Sequence, residues 1–183
     1  MHLSEGILPI EQSIAWSAAA VPAVLWSIQG EAKARKEDPS SAVLMAGATN
    51  LLFAGTLMPL PVPVVGATSH ICLTPLLALI VGVRRVIWPT FLILLLHAMF
   101  FAHGGMTTLG VNTLTLGLIG PVFTVLIWNL CKSVGVKGAV GFGIAIGLGG
   151  MSVYVTDAAV LAVALADTAN PATTFGVVLV GFA

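Results

Sequence analysis

Long apolar runs, separated by short stretches rich in proline, glycine and charge, make up most of the chain. A helix needs about 20 mostly apolar residues to cross a bilayer, and the pattern predicts helices over 13–29, 41–57, 69–83, 88–102, 113–130 and 138–165. A further run follows the break at Asn170 and Pro171 and reaches Ala183. This run is too short to cross unaided, so we expect the sequence to stop inside a seventh helix. The pattern thus predicts an all-α class, a polytopic transmembrane bundle of about six to seven helices, in one domain over residues 1–183.

Two of these segments carry further signals. The second stops at MPLPVPVVG, where closely spaced prolines exclude continued helix. In the sixth, positions without branched bulk recur every fourth residue, at Gly135, Ala139, Gly143, Gly147 and Met151. Such a face lets another backbone approach closely. We therefore expect Gly143 and Gly147 to serve helix packing.

Composition agrees with the pattern. The chain is 58% apolar and 8% charged, with a mean hydropathy of +1.07, whereas soluble domains carry about 25% charged residues. The sequence is therefore that of an integral membrane protein. Its formal net charge is zero, which gives no electrostatic basis for a nucleic-acid partner. Cys72 and Cys131 lie far apart and indicate neither a disulfide framework nor a zinc site.

The basic residues predict an orientation. All of them fall in the links after the first, third and fifth predicted helices: Lys33, Arg35, Lys36, Arg84, Arg85, Lys132 and Lys137. By the positive-inside rule these links are cytoplasmic, so the N-terminus faces outward. The residues before the first apolar run include Glu5 and Glu11 instead of a basic region. We therefore expect no cleaved signal peptide and a retained first residue.

Three of the four histidines then lie on the outer side. His2 stands at the start of the chain, His70 in VGATSHICL and His103 in FAHGGMTTLG. Three separate segments that each bring a histidine to one membrane face predict a site. His97 precedes His103 by six residues, about 240° around a helix, so we expect the two not to hold one ion from the same helix face. The ordinary interpretation of His97 is a buried polar residue bonded to a neighbouring helix.

The first two residues offer a chelate. The amine of Met1, together with the backbone amide and the imidazole of His2, can close fused five- and six-membered rings and place three nitrogens in one plane. One more imidazole would complete a square. Planar nitrogen geometry favours Ni(II) or Cu(II), and Co(II) where a protein imposes the arrangement.

Three stretches carry a family resemblance: MHLSEGILP, VGATSH, and AHGGMTTLGVNTLTLGLIGP at 102–121. They resemble the substrate-capture subunits of cobalt and nickel energy-coupling-factor (ECF) transporters, the CbiM/NikM family. The resemblance implies a planar site made by Met1, His2 and His70. It places His103 and Asn112 at polar positions that support the ligands, and Glu5 at a position that anchors the N-terminal segment.

The resemblance also implies partners and a location. No G-x-x-x-x-G-K-[ST] motif occurs, so ATP hydrolysis would come from two ATPase subunits that act through a transmembrane coupling subunit, with a small accessory membrane subunit as a further partner. The chain itself would be no enzyme. It would lie as a multi-pass protein among the lipids of the prokaryotic inner membrane, as part of an ABC-type importer. Its ion, Co²⁺ or Ni²⁺, would be a transported substrate and not a cofactor.

Two departures from the family leave other functions open. The residues after His70 include Leu73, Pro75 and Leu76 where relatives carry small residues, and the position of His97 is often glutamine. A non-transporting structural or accessory subunit that retains the fold is the alternative. A third hypothesis, a membrane enzyme or proton conductor, would use His97 and His103 with Asp157, an ionisable residue within the sixth helix.

Overall fold

The protein is described by a computed structural model over residues 2–57, 60–62, 67–166 and 168–182. The helices are α1 (Ile10–Glu37), α2 (Ser41–Thr56), α3 (Thr74–Val81), α4 (Val83–Phe101), α5 (Leu109–Leu114), α6 (Gly120–Ser133), α7 (Gly138–Ala164) and α8 (Pro171–Phe182), with a π-helical segment at Thr115–Ile119 between α5 and α6. Three short strands are β1 (His2–Leu3), β2 (Leu60–Val62) and β3 (Ala67–Ser69).

The helical class is confirmed. If the continuous helix Leu109–Ser133 is counted once, the described part of the chain has seven helices. Three of its helices, Val83–Phe101, Leu109–Ser133 and Gly138–Ala164, are long and apolar enough to cross a membrane. The protein is a helical membrane protein, and the side that its N-terminus faces stays a prediction.

Helix α1 is longer than the sequence predicted. Its expected end was residue 29, at the limit of the apolar run, but the helix continues to Glu37. Pairs four residues apart support the extra turns, because the Arg35 Nε donates to Glu31 at 2.8 Å and Lys33 lies 3.6 Å from Glu37. Charge ends an apolar run, but it does not end a helix.

The third predicted helix is wrong in extent. Instead of 69–83, only Thr74–Val81 is helical, which is too short to cross a bilayer. Pro75 lies in the first turn, where its missing N–H costs nothing, and Gly82 ends the helix with φ 88°. The residues before Thr74 instead form β3 and an irregular stretch that carries His70. Non-helical backbone of this kind occurs at membrane depth where it is buried in protein.

The arginines after α3 lie in a helix and not in a link. Helix α4 begins at Val83, five residues earlier than predicted. In its first turn Arg85 donates to Glu31 of α1 at 2.8 Å, and Arg84 donates to the carbonyl of Trp26 at 2.9 Å. These contacts join the end of α1 to the start of α4, at the opposite end of both helices from the histidines.

A small antiparallel sheet adds to the helical bundle. Its strand order is β1-β3-β2, and His2 pairs with Thr68 while Leu3 pairs with Ala67. The first described residues therefore lie beside a strand from the segment between α2 and α3. The hydrophobic pattern gave no sign of this pairing, because two- and three-residue strands are too short to show alternation.

Within the described chain, α7 packs through a different face from the one that carries Gly143 and Gly147. Gly143 and Gly147 are exposed, and a side chain at either position would meet nothing within 4 Å among the described residues. The buried face is offset by two residues and contains Gly141, Ala145 and Gly149. A Cβ at Gly149 would overlap Thr124 of α6. Close packing of α6 on α7 therefore depends on this second set of small residues.

Candidate metal centre

Four imidazoles meet at the end of the bundle where the chain begins. The ring of His2 lies 4.2 Å from that of His103, 4.5 Å from that of His70 and 5.8 Å from that of His97, measured between centroids. All four side chains are buried, and His2 and His97 have no exposed surface. The predicted convergence of His2, His70 and His103 is therefore present in the fold.

The segment between α4 and α5 holds the N-terminal residues in place. Asn112 makes two hydrogen bonds to one residue: the Leu3 N–H donates to its Oδ1 at 2.9 Å, and its Nδ2 donates to the Leu3 carbonyl at 3.1 Å. Thr108 Oγ1 donates to the same carbonyl at 2.6 Å. Leu3, the residue after His2, is thus held through both its N–H and its carbonyl.

A second pair of bonds holds the chain further along. The Gly6 N–H donates to Thr107 Oγ1 at 3.1 Å, and the Thr107 N–H donates to Glu5 Oε2 at 3.2 Å. Hydrogen bonds that Glu5 accepts, first from the Thr107 side chain and then from the backbone of Thr107 and Met106, hold the pKa of this exposed carboxyl below its ordinary value. The position predicted for Glu5, beside the anchored N-terminal segment, agrees with this geometry.

Two glycines after His103 allow this close approach. Gly104 has φ 85°, and a Cβ there would lie 3.3 Å from the Cβ of His2. A Cβ at Gly105 would lie 2.5 Å from the Cα of Glu5, which is closer than real side chains come. Several Gly, Thr and Asn positions of this stretch, which hydropathy does not explain, thus seat residues 2–6: Gly104, Gly105, Thr107, Thr108 and Asn112.

His97 and His103, which helix geometry predicted to lie on different faces of one helix, come together in the fold. Nitrogen atoms of His2, His97 and His103 lie within 4.8 Å of one another. The prediction assumed a helix through both residues, but α4 ends at Phe101 and Ala102 takes a left-handed φ of 49°. The chain turns back there, and the His103 N–H donates to the His97 carbonyl at 3.2 Å. The turn brings the two rings to 5.5 Å.

His97 also lacks the hydrogen bond to a neighbouring helix that the sequence suggested. Neither of its ring nitrogens has a hydrogen-bond partner among the described residues. Phe53 of α2 lies 5.0 Å from the ring and Phe101 lies 5.9 Å from it. Sequence reasoning missed this residue because it sits inside an apolar helix, and only the turn at Ala102 places it beside the other imidazoles.

His70 reaches the cluster from the irregular stretch before α3. Its Nδ1 lies 3.1 Å from the carbonyl of Ile71, a contact in which the ring N–H donates. This bond leaves Nε2 as the nitrogen suited to bind a metal. The Tyr154 hydroxyl of α7 donates to the His70 carbonyl at 3.3 Å. Asp157 is fully buried one helical turn further along α7, inside the bundle and not at its interface with water.

Burial keeps the imidazoles of His2 and His103 neutral. Burial is the main cause that lowers the pKa of His103 to about 4 and lowers the pKa of His2 well below its ordinary value. The Nδ1 of His2 and the Nε2 of His103 lie 2.6 Å apart, so at most one of them carries a proton in that contact. Neutral imidazole is the form that binds a metal ion. The predicted ligand Met1 lies outside the described residues.

The centre therefore offers nitrogen ligands alone. Of the residues described, the three that can converge on one ion are all histidines. Imidazole suits cobalt, nickel, copper and zinc, whereas magnesium and calcium prefer oxygen. The arrangement fits a transition-metal ion held within the fold and shielded from water.

The known proteins to which this chain is similar are named for cobalt transport. The sequence model of CbiM, described as the cobalt uptake substrate-specific transmembrane region, matches residues 2–183. Cobalt transport protein CbiM 2 of Pelobacter propionicus is 34% identical over 167 residues, covering 91% of this chain and 74% of that protein. A putative cobalt transport protein CbiM of Methanocaldococcus jannaschii is 34% identical over 164 residues, covering 90% and 70% respectively.

A solved structure shares the fold. The crystal structure of a truncated transition metal transporter superposes with a TM-score of 0.86 at 22% identity, covering 100% of this chain and 89% of the other. At that identity the likeness concerns the fold alone.

Proposed function

This chain belongs to the CbiM family of cobalt uptake substrate-specific transmembrane regions, and on that premise we propose that it is the membrane subunit that captures Co²⁺ or Ni²⁺ for an ECF-type ABC importer. The family is one of transport, so the prediction that the protein is not itself an enzyme is confirmed. The observation that carries the proposal is the seating of residues 2–6 against the segment after His103, with the imidazole of His2 enclosed among three others.

The proposed capture site is a plane of four nitrogens. The Met1 amine, the His2 amide nitrogen and the His2 imidazole supply three of them, and His70 Nε2 supplies the fourth. The bond from His70 Nδ1 to the Ile71 carbonyl supports this role because it fixes the tautomer. Asn112 and His103 contribute by holding Leu3 and contacting the His2 ring.

The partners follow from what the chain lacks and from its family. The sequence contains no phosphate-binding loop, so uptake against a gradient requires two ATPase subunits and a transmembrane coupling subunit, with a small accessory membrane subunit as a further partner. In this proposal the protein is a multi-pass component of a prokaryotic plasma membrane, with its histidine end outward and its arginines and lysines toward the cytoplasm.

The changes after His70 give no support to a scaffold that has lost its ion. Leu73 packs in the cluster formed by α2, α3 and α4, beside Gly55, and Pro75 starts α3. The altered residues thus have packing roles, while the histidines remain together.

The test is to block the amine. Acetylation of Met1, or one N-acetylated glycine added ahead of it, removes the basic terminal amine and leaves every side chain in place. We expect the affinity for Ni²⁺ and Co²⁺ to fall by at least about 100-fold, as measured by calorimetry on purified protein in detergent. Loss of a residue that only supports a metal ligand costs less, about 10–100-fold.

A matched control is one glycine inserted beside Pro39, in the exposed connection between α1 and α2, which should leave the affinity unchanged. Circular dichroism would verify that both variants keep their helices. Equal affinity in the blocked and native proteins would refute the planar site. Absence of any stoichiometric metal in native protein, by elemental analysis, would support the scaffold instead.

A further inference from the structure

A second set of ligands shares His2 with the proposed capture site. Ring nitrogens of His2, His97 and His103 lie within 4.8 Å of one another and come from β1, from the last part of α4 and from the turn that follows it. His70 is not part of this set, and neither is the Met1 amine. The two ligand sets therefore favour different coordination geometries of the ion.

The burial of His97 without a hydrogen-bond partner among the described residues indicates that its ring is placed to bind an ion. It has no exposed surface, and both of its nitrogens lack a hydrogen-bond partner among the described residues. Buried polar groups nearly always have a partner, so such an exception needs an explanation. The rings of Phe53 and Phe101 close in on it at 5.0 and 5.9 Å, while His2 and His103 lie at 5.8 and 5.5 Å.

The distances suit an ion after small ring movements. Metal–imidazole bonds of about 2.0–2.1 Å in a tetrahedron require nitrogens about 3.3–3.4 Å apart. The His2 and His103 nitrogens, at 2.6 Å, would open slightly, and the widest separation, up to 4.8 Å, would close.

We propose that His2, His97 and His103 form a three-imidazole site for a divalent ion that accepts tetrahedral coordination, Zn²⁺ or Co²⁺. Three histidines with one open position are a known zinc arrangement. This ligand set differs from the planar nitrogen set that favours nickel and copper. The inference rests on the proposed function only in treating the ion as a transported substrate, because none of its three ligands is the terminal amine.

The test uses the protein with one N-acetylated glycine added ahead of Met1, in which the planar chelate is blocked. We expect this protein to bind one equivalent of Co²⁺ with the intense visible absorption of a tetrahedral ion. Zn²⁺ added in titration should displace it. A weak octahedral spectrum would overturn the proposal, and Co²⁺ binding that Zn²⁺ cannot displace would assign the site to cobalt alone.

The deciding substitution is His97→Gln in the same blocked protein. We expect Zn²⁺ affinity to fall at least about 100-fold, because a direct ligand is lost. Loss of a residue that only supports a ligand would cost about 10–100-fold. The control is Thr90→Val, two turns earlier in α4, a buried position whose hydroxyl, among the residues that the structure describes, donates only to the Val86 carbonyl of its own helix. It should keep the affinity. Unchanged Zn²⁺ binding in His97→Gln would overturn the site.

A measurement without substitution protects the test against misfolding. X-ray absorption of Zn²⁺ bound to the blocked protein counts imidazole ligands directly, with three expected and two or fewer contradicting the proposal. The two proposals fail separately. If blocking Met1 leaves Ni²⁺ binding unchanged, the planar site is refuted, whereas dependence on His97 is read only in the blocked protein.

Discussion

At the scale of single residues, Asn112 is the side chain on which the position of His2 most depends. It satisfies both the N–H and the carbonyl of Leu3 at 2.9 and 3.1 Å, and it also donates to Thr108 Oγ1 at 3.2 Å. An amide carries its donor and its acceptor on separate atoms, so it can bond both groups at once. The residue is 2% exposed, so water cannot take over these bonds.

Substitution of Asn112 by Ala should weaken both fold and site. The buried Leu3 N–H would lose its partner, at about 1–3 kcal/mol, while the Leu3 carbonyl would keep the bond from Thr108. Metal affinity should fall about 10–100-fold because the His2 backbone is released. Thermal unfolding in detergent and metal titration measure the two effects. Thr113→Val, which removes only a bond to the Leu109 carbonyl of the same helix, should leave metal affinity unchanged. Equal affinity in Asn112→Ala would contradict the role given to this residue.

At the scale of elements, the bundle depends on which face of each helix lacks bulk. A glycine repeat every four residues on α7 has two possible faces, and the buried one runs through Gly141, Ala145 and Gly149. Gly120 of α6 meets Val153 of the same face, where an added Cβ would lie 2.7 Å from Cγ2. The α6–α7 contact is thus made by small residues from both helices.

Two matched substitutions on α7 test this assignment. Gly149→Ala should lower the free energy of unfolding by about 1–3 kcal/mol, because the new methyl overlaps Thr124. Gly147→Ala, one half-turn away with nothing within 4 Å among the described residues, should be neutral or gain up to about 1 kcal/mol from helix propensity. Thermal melts of the two variants would show the difference. The reverse order of stabilities would return the packing role to the exposed face.

At the scale of the whole molecule, the ion-paired residues and the histidines lie at opposite ends of the bundle. Glu31, Arg84 and Arg85 join α1 to α4 at one end, and the four histidines meet at the other. Helix α4 separates the two groups over 19 residues, about 28 Å at 1.5 Å per residue. The division agrees with the one-sided distribution of basic residues in the sequence.

Concentrating neutral imidazoles at one end makes the metal-free protein sensitive to acid. The folded pKa of His103 is lowered to about 4 by burial, whereas the unfolded residue titrates near about 6.5. The unfolded state therefore binds the proton first as pH falls, and stability present above about 6.5 is lost progressively down to about 4. Thermal melts in a chelator between these values should show the decline, and His103→Gln should show a smaller one. A midpoint independent of pH would contradict the burial of neutral imidazoles.

The sequence by itself determined the class, the approximate helices and the one-sided charge, since these depend on local length and hydropathy. It also marked His2, His70, His103 and Asn112. The boundaries of α1 and α3 were predicted less accurately from the sequence. Ion pairs extend the first helix, and Pro75 and Gly82 limit the third.

Only the tertiary structure decided which residues complete the site and which faces pack. His97 joins the cluster because the left-handed turn at Ala102 reverses the chain, and no periodicity along α4 carries that information. The sheet that seats His2 pairs residues more than 60 positions apart. The buried face of α7 depends on where Thr124 of α6 lies. Such contacts join distant parts of the chain, whereas a hydrophobic pattern reports only the neighbourhood of each residue.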